Sequence, residues 1–182
     1  MSLAFALWIT GRPGSGKSSL VQALLTRLRR REIDPVVLSS DFFRQRFSPH
    51  PVESEADRTA FYRGLVEVAG LFVDRGIPVL IDATGLRRSY RAFARECLDG
   101  FAEVHVDCPF ELSRARHSEN LIRSAGSSLS TAVAEPALEY EDPVHPEVVV
   151  HSDREDPEVG ADRTMDFLLS AGLIPSKRWY RV

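Results

Sequence analysis

Gly11-Arg12-Pro13-Gly14-Ser15-Gly16-Lys17-Ser18 fits the pattern Gly-x4-Gly-Lys-Ser/Thr at every fixed position. The chemistry this offers is the binding of a nucleoside triphosphate. Glycines let backbone N–H groups turn inward around phosphate oxygens, and a helix beginning beyond them adds positive potential. Lys17 can bridge the β- and γ-phosphates, and the Ser18 hydroxyl can ligate Mg²⁺. The alternative, a glycine turn without a ligand, is disfavoured by the buried strand before the loop and the amphipathic helix after it. The pattern does not separate a kinase from a GTPase or a motor ATPase. The chain has no Asn-Lys-x-Asp guanine-reading motif, which weakens the GTPase reading.

Two carboxylates follow apolar runs. Asp41 follows Val-Leu-Ser-Ser, and Asp82 ends Val-Leu-Ile-Asp. A carboxylate at a strand end near the phosphate loop can orient Mg²⁺ or take a proton from an attacking hydroxyl. Helix capping is the alternative role. Arginines follow the same runs: Arg44, Arg58 and Arg63, then Arg87, Arg88, Arg91 and Arg95, then Arg114 and Arg116. A planar guanidinium suits both charge neutralisation and the orientation of an anionic acceptor. About half of these arginines are expected to act in this way. Arg27–Arg31 reads instead as the basic end of a helix.

These groups need a scaffold. Ala4–Thr10, Val36–Ser39, Val79–Asp82, Val104–Asp107 and Val148–Val150 read as short strands buried on both faces. Between them, Leu20, Val21, Leu24, Leu25 and Leu28 share one helical face, and Phe61, Leu65, Val68, Ala69 and Phe72 share another. Ser89–Leu98 and Glu158–Leu169 read as further helices. Alternating strands and helices predict a parallel sheet covered on both sides, with its ligand at the carboxyl edge. Two stretches resist assignment, Phe47–Asp57 with its two prolines and the Ser- and Ala-rich Ser124–Pro146. Long loops of this kind are usually lids or binding loops.

Composition narrows the partners. The 182 residues suit one domain. A net charge of −3 disfavours a broad nucleic-acid surface. No apolar run is long enough to span a bilayer. Leu3–Ile9 lacks the flanks of a signal peptide. Cys97 and Cys108 form no disulfide framework or zinc spacing, and a reducing cytoplasm fits them best. Of 23 Lys plus Arg, only Lys17 and Lys177 are lysines, which fits either genomic codon bias or a need for lysine where one is kept, and makes Lys17 the first residue to mutate.

The chain resembles adenylylsulfate kinase, a P-loop kinase, over nearly its whole length. The resemblance rests on Leu7-Trp8-Ile9-Thr10-Gly11, Asp41-x-x-Arg44, Asp57-Arg58 with Arg63, Val106-Asp107-Cys108-Pro109 with Arg116, and Tyr140-Glu141-x-Pro143-x-x-Pro146-Glu147. It implies one P-loop kinase domain over residues 1–182. The fold would be a three-layer α/β/α, nucleoside-monophosphate-kinase-like, with a five-stranded parallel sheet. A mobile lid and acceptor loops would lie near 42–57 and 117–146. It also implies transfer of the ATP γ-phosphate to the 3′-hydroxyl of adenylyl sulfate with Mg²⁺, and suggests a homodimer. Asp41 would be the base beside Lys17. Arg44, Arg58 and Arg63 would hold the acceptor, while the metal falls to Ser18 of the phosphate loop and, by its strand-end position rather than by the resemblance, to Asp82. The phosphate loop, Ser19, Arg116 and Ser152 would bind ATP.

Several positions depart from the family. Glu119-Asn120-Leu121-Ile122 replaces Lys-Gly-Leu-Tyr, and Phe61 replaces an Asn. Glu53 and Val133 replace two phenylalanines that sandwich the substrate adenine. Phe42, Phe43, Phe47 and Tyr62 are available as replacements, with core packing as their other role. Asp82-Ala83-Thr84-Gly85 replaces Ser-Pro and, with Ser39-Ser40-Asp41, looks like broader small-molecule and polynucleotide kinases. Three readings stand: a kinase of a small anionic hydroxyl compound, a polynucleotide 5′-hydroxyl kinase, and a non-catalytic nucleotide switch.

Overall fold

Five runs rich in Val, Ile and Leu pair side by side as one parallel sheet. A computed structural model describes residues 4–47, 54–125 and 139–176. The strands are β1 (Ala6–Thr10), β2 (Val36–Ser39), β3 (Val79–Asp82), β4 (Phe101–Asp107) and β5 (Val148–His151), in the order β2-β3-β1-β4-β5. All adjacent pairs are parallel, with Ile9 opposite Asp82, Ser39 opposite Asp82, and Asp107 opposite His151. Thr10, Ser39, Asp82, Asp107 and His151 therefore end their strands along one edge.

The period of two along β1 divides the core. Phe5, Leu7 and Ile9 face one layer, where Leu20, Leu24 and Leu28 of α1 (Lys17–Arg29) meet Ala161, Met165 and Leu168 of α6 (Pro157–Ser170). Ala6 and Trp8 face the other, where Tyr62, Leu65, Val66 and Ala69 of α3 (Glu55–Val73) meet Tyr90 and Ala94 of α4 (Arg88–Cys97). Trp8 is wholly buried, and its indole N–H donates to Ala83 O at 2.9 Å.

Three elements differ from the sequence expectation. β4 begins at Phe101, because Glu103 and His105 lie in the strand as buried polar residues that break its apolar pattern. Ser40–Phe47 forms a helix, α2, and Phe110–Ala125 forms another, α5. Where described, the two unassigned stretches are thus partly helical. α2 reaches Phe47, and α3 starts at Glu55 with a capping box between Ser54 and Asp57. Ser124 and Ala125 close α5, and 139–146 runs as irregular chain across α4. Within the expected lid and acceptor loops, residues 48–53 and 126–138, Glu53 and Val133 among them, lie outside the described residues.

Among the described residues, no helix is long and apolar enough to cross a membrane.

Candidate active site

The phosphate loop runs from the end of β1 into α1. Gly16 is the α1 N-cap, and no side chain caps that helix end. The first N–H groups of α1 face the concavity of the loop, an arrangement suited to anions. Lys17 Nζ donates to Gly11 O and Arg12 O, both at 3.0 Å, and so closes the loop with its own ammonium. The loop rests on α5. Gly14 has φ +79°, and a Cβ there would lie 2.1 Å from Ser113 O. Only glycine allows that approach. Ser15 is buried in the turn, and Arg12 and Pro13 form its rim.

Ser18 and Asp82 meet across the gap between β1 and β3. Ser18 Oγ donates to Asp82 Oδ2 at 2.8 Å. Burial pushes the Asp82 carboxyl above its usual range and nearby Asp41 adds to the rise, while Ser18 and Lys17 oppose it. A serine hydroxyl beside a carboxylate is a hard oxygen pair. Mg²⁺ prefers such partners, with water and phosphate oxygens completing its shell.

Asp41 lies in the first turn of α2, exposed. It is not the capping residue, since Ser39 Oγ accepts from Phe42 N at 3.4 Å. Arg44, one turn further along, donates from Nη2 to Tyr62 Oη at 3.1 Å and stacks over Phe61 at 5.2 Å. Arg58 is buried in α3, and Arg63 turns outward over Phe93 of α4 at 5.2 Å. The three arginines expected at the acceptor therefore occupy different surroundings. Of the four candidate aromatics, Tyr62 is 1% exposed and packs in the core, whereas Phe42 is 52% and Phe47 71% exposed. Phe43 is half-buried and lies against Phe47 at 5.4 Å.

On the other flank, Arg116 of α5 donates from Nη2 to Ser152 O at 3.3 Å, and Ser152 N donates to Asp107 O at 3.0 Å. Ser152 also lies close to Gly16, where an added Cβ would be 3.8 Å from the Ser152 Cβ. The structure thus brings Arg116 and Ser152 together beside the phosphate loop. Ser19, exposed in the first turn of α1, follows Ser18.

The arginines after β3 have a different role from the one expected. Arg87 pairs with Glu141 at 3.0 Å, and Arg88 Nε donates to Asp142 O at 2.7 Å. Arg91 pairs with Glu103 at 2.5 Å and donates to Glu141 O at 2.6 Å. Arg95 pairs with Glu147 at 2.5 Å. Together they strap residues 140–147 across α4 and β4. The Arg27–Arg31 cluster does more than complement a helix end, because Arg27 binds Asp162 and Glu158 O of α6, and Arg31 reaches Pro175 O.

Sequence reasoning gave no role to Thr10 or to the ring of Tyr140. Thr10 Oγ1 donates to Thr84 O at 2.6 Å and meets Tyr140 Oη at 2.9 Å. The Tyr140 ring has Arg12 at 5.3 Å and Arg91 at 5.5 Å over it, and it stacks on His105. The strapped segment therefore braces the mouth of the phosphate loop. The motif Tyr140-Glu141 was visible, but its partners lie far away in sequence.

Known proteins resemble the chain in sequence and in fold. Residues 3–151 match the adenylylsulphate kinase family. A probable adenylyl-sulfate kinase of Archaeoglobus fulgidus is 32% identical over 154 residues, spanning 85% of this chain and 99% of that protein. An adenylyl-sulfate kinase of Paraburkholderia xenovorans is 30% identical over 172 residues, spanning 92% and 94%. The solved structure of the Mycobacterium tuberculosis APS kinase in complex with AMPPNP and APS is 30% identical, with a TM-score of 0.74 over 91% of this chain and 97% of that one. Three layers, five parallel strands and a loop closed by Lys17 are the architecture of the nucleoside-monophosphate-kinase-like P-loop kinases. With the family match over most of its length, the chain belongs to the adenylylsulphate kinase family and is an ATP-dependent phosphotransferase resembling those enzymes.

Proposed function

We propose that the chain transfers the γ-phosphoryl group of ATP to the 3′-hydroxyl of adenylyl sulfate. The observation that carries this is the contact of Ser18 with Asp82 beside Lys17, with Asp41 near enough to raise the Asp82 carboxyl. The relatives named above support adenylyl sulfate as acceptor. Lys17 and the α1 N-terminus hold the β- and γ-phosphates, and Arg116 with Ser152 borders the adenosine side. Ser18 and Asp82 would hold Mg²⁺, which when bound neutralises phosphate charge. Asp41 takes the proton of the acceptor hydroxyl as its oxygen bonds to phosphorus, and ADP leaves with the electron pair of the broken bond. Arg44, Arg58 and Arg63 are the acceptor-side cations of this reading. Assembly as a homodimer belongs to the same reading, on the family resemblance.

One observation favours a second acceptor, another small anionic hydroxyl compound. Phe61, where the family has an Asn, has its ring against Arg44 and brings no side-chain polar group to an acceptor. Transfer of label from γ-³²P-ATP to a panel of acceptors tests both. Labelled 3′-phosphoadenylyl sulfate as the main product is expected. Labelling of other small hydroxyl compounds in preference selects the second acceptor. Absence of label on every acceptor, with ATP bound tightly, overturns the kinase reading of the site.

A further inference from the structure

Tyr62 is 1% exposed, and its ring is held on two sides. Trp8 of β1 lies 5.9 Å from it, and Tyr90 of α4 stacks on it at 4.6 Å. Such packing needs only a ring, and phenylalanine would supply one. The hydroxyl, however, accepts two hydrogen bonds from separate parts of the site. Arg44 Nη2 of α2 donates to it at 3.1 Å, and Gly85 N, just beyond Asp82, donates at 3.2 Å. Gly85 is itself fixed, with φ +55° and Trp8 so close that a Cβ would lie 2.9 Å from its indole.

α2 makes this junction matter. Ser40 is the single residue of that helix buried among its eight. Little packing therefore sets its orientation, yet it carries both Asp41 and Arg44. The Phe61 and Tyr62 rings, 5.2 and 5.8 Å from the Arg44 guanidinium, give it a flat seat. A guanidinium held in this way loses less freedom when an anion binds.

We propose that Tyr62 is a positioning residue of the phosphoryl-transfer site: its phenol oxygen locks Arg44 to the Asp82–Gly85 loop and so sets where α2 presents the acceptor's anionic group. The proposal rests on the reading of Arg44 as an acceptor-side cation. Its chemical consequence is that acceptor selection depends on a buried hydroxyl that touches no substrate.

Tyr62→Phe keeps the ring and removes the bond. The expected result is an acceptor KM raised about tenfold and a kcat lowered several-fold, with the ATP KM within twofold and the urea midpoint modestly lowered, because Gly85 N loses its buried acceptor. In an Arg44→Lys background, which lacks the planar fork, Tyr62→Phe should cost nothing more. Unchanged acceptor KM and kcat in Tyr62→Phe overturn the proposal, as do losses that multiply in full in the double variant. ¹⁵N spectra of arginine Nε–H groups read the same lock without any acceptor. The Arg44 signal, assigned by its loss in Arg44→Lys, should shift and sharpen in Tyr62→Phe, and an unmoved signal overturns the proposal. If wild-type protein phosphorylates no acceptor while the Arg44 signal responds, the kinase reading fails and the lock stands.

Discussion

Thr10 Oγ1 and Tyr140 Oη lie 2.9 Å apart, joining the last residue of β1 to the strapped segment 130 residues later. Thr10 gives its own proton to Thr84 O, so Tyr140 is the donor between them. Burial pushes the Tyr140 phenol up to about 12, which keeps that proton in place at neutral pH. Tyr140→Phe leaves the Thr10 oxygen without this donor in a buried site. It should cost about 1–3 kcal/mol in urea unfolding and raise the ATP KM. Thr10→Val on top of it should add less than it does alone.

The same tyrosine stacks on His105, whose pKa burial holds below the usual value, against the pull of Asp107 and Asp142 and with help from Arg91 and Arg12. A histidine depressed in the fold gives stability that is complete above its unfolded value, about 6.5, and lost as pH falls through the folded value. Below pH about 6.5 the wild type should lose stability more steeply than His105→Gln, by up to about 1.4 kcal/mol per pH unit. Parallel urea midpoints for the two proteins between pH 7 and 5 would rule this out.

Lys17 is both the phosphate ligand of the pattern and the clamp of its own loop. Lys17→Ala should remove turnover by at least about a hundredfold while the circular dichroism spectrum stays native. Lys17→Arg should not restore it, since a branched planar cation cannot take the place of a compact ammonium inside the loop. Near-normal catalysis in a folded Lys17→Ala protein would refute the phosphate-loop assignment.

Asp41 and Asp82 have separable roles in the proposed reaction. Asp41→Asn should lower kcat far more than it weakens ATP binding, because a base acts in the transition state. Asp82→Asn should raise the Mg²⁺ concentration needed for half-maximal rate. Steady-state kinetics with Mg²⁺ and ATP varied separately reads both, and the reverse pattern would exchange the two roles.

Arg91 and Glu103 are 2% and 7% exposed and form a 2.5 Å pair between α4 and β4. Burial still pushes the Glu103 carboxyl upward, with Arg91 opposing. Arg91→Leu leaves that buried carboxyl only the longer, 3.8 Å contact with Arg95 and releases Glu141 O. It should destabilise the protein by about 3–5 kcal/mol in urea unfolding. A loss below about 1 kcal/mol would place the pair among ordinary surface salt bridges.

The strands were legible because a strand buried on both faces must be apolar nearly throughout, as Ala6–Ile9 and Val79–Ile81 are. β4 was read short because Glu103 is tolerated inside through Arg91 and Arg95, partners that no local pattern announces. α5 escaped notice because polar residues dominate Glu111–Glu119. Lys17 and Ser18 could be found from spacing alone, since a strand–loop–helix unit places them locally, and Asp82 from its place at the end of an apolar run that had to be a buried strand. Position after a strand could not tell which half of the arginines would act at the site, and Arg87, Arg88, Arg91 and Arg95 instead hold the strap. Their partners Glu103, Glu141 and Glu147 arrive only when the chain returns through β4 and the segment before β5.

The strand order β2-β3-β1-β4-β5 puts the phosphate loop on the central strand. Apart from the loop itself and Asp82 at the end of β3, everything proposed for the nucleotide comes from the β4–β5 side, and everything proposed for the acceptor comes from the β2–β3 side. The fold is therefore divisible along its middle. Mutation can rework α2 and α3 while the ATP machinery is inherited intact, so a lineage can change what it phosphorylates without relearning how. The Phe61–Tyr62 pair lies on the half that is free to diverge.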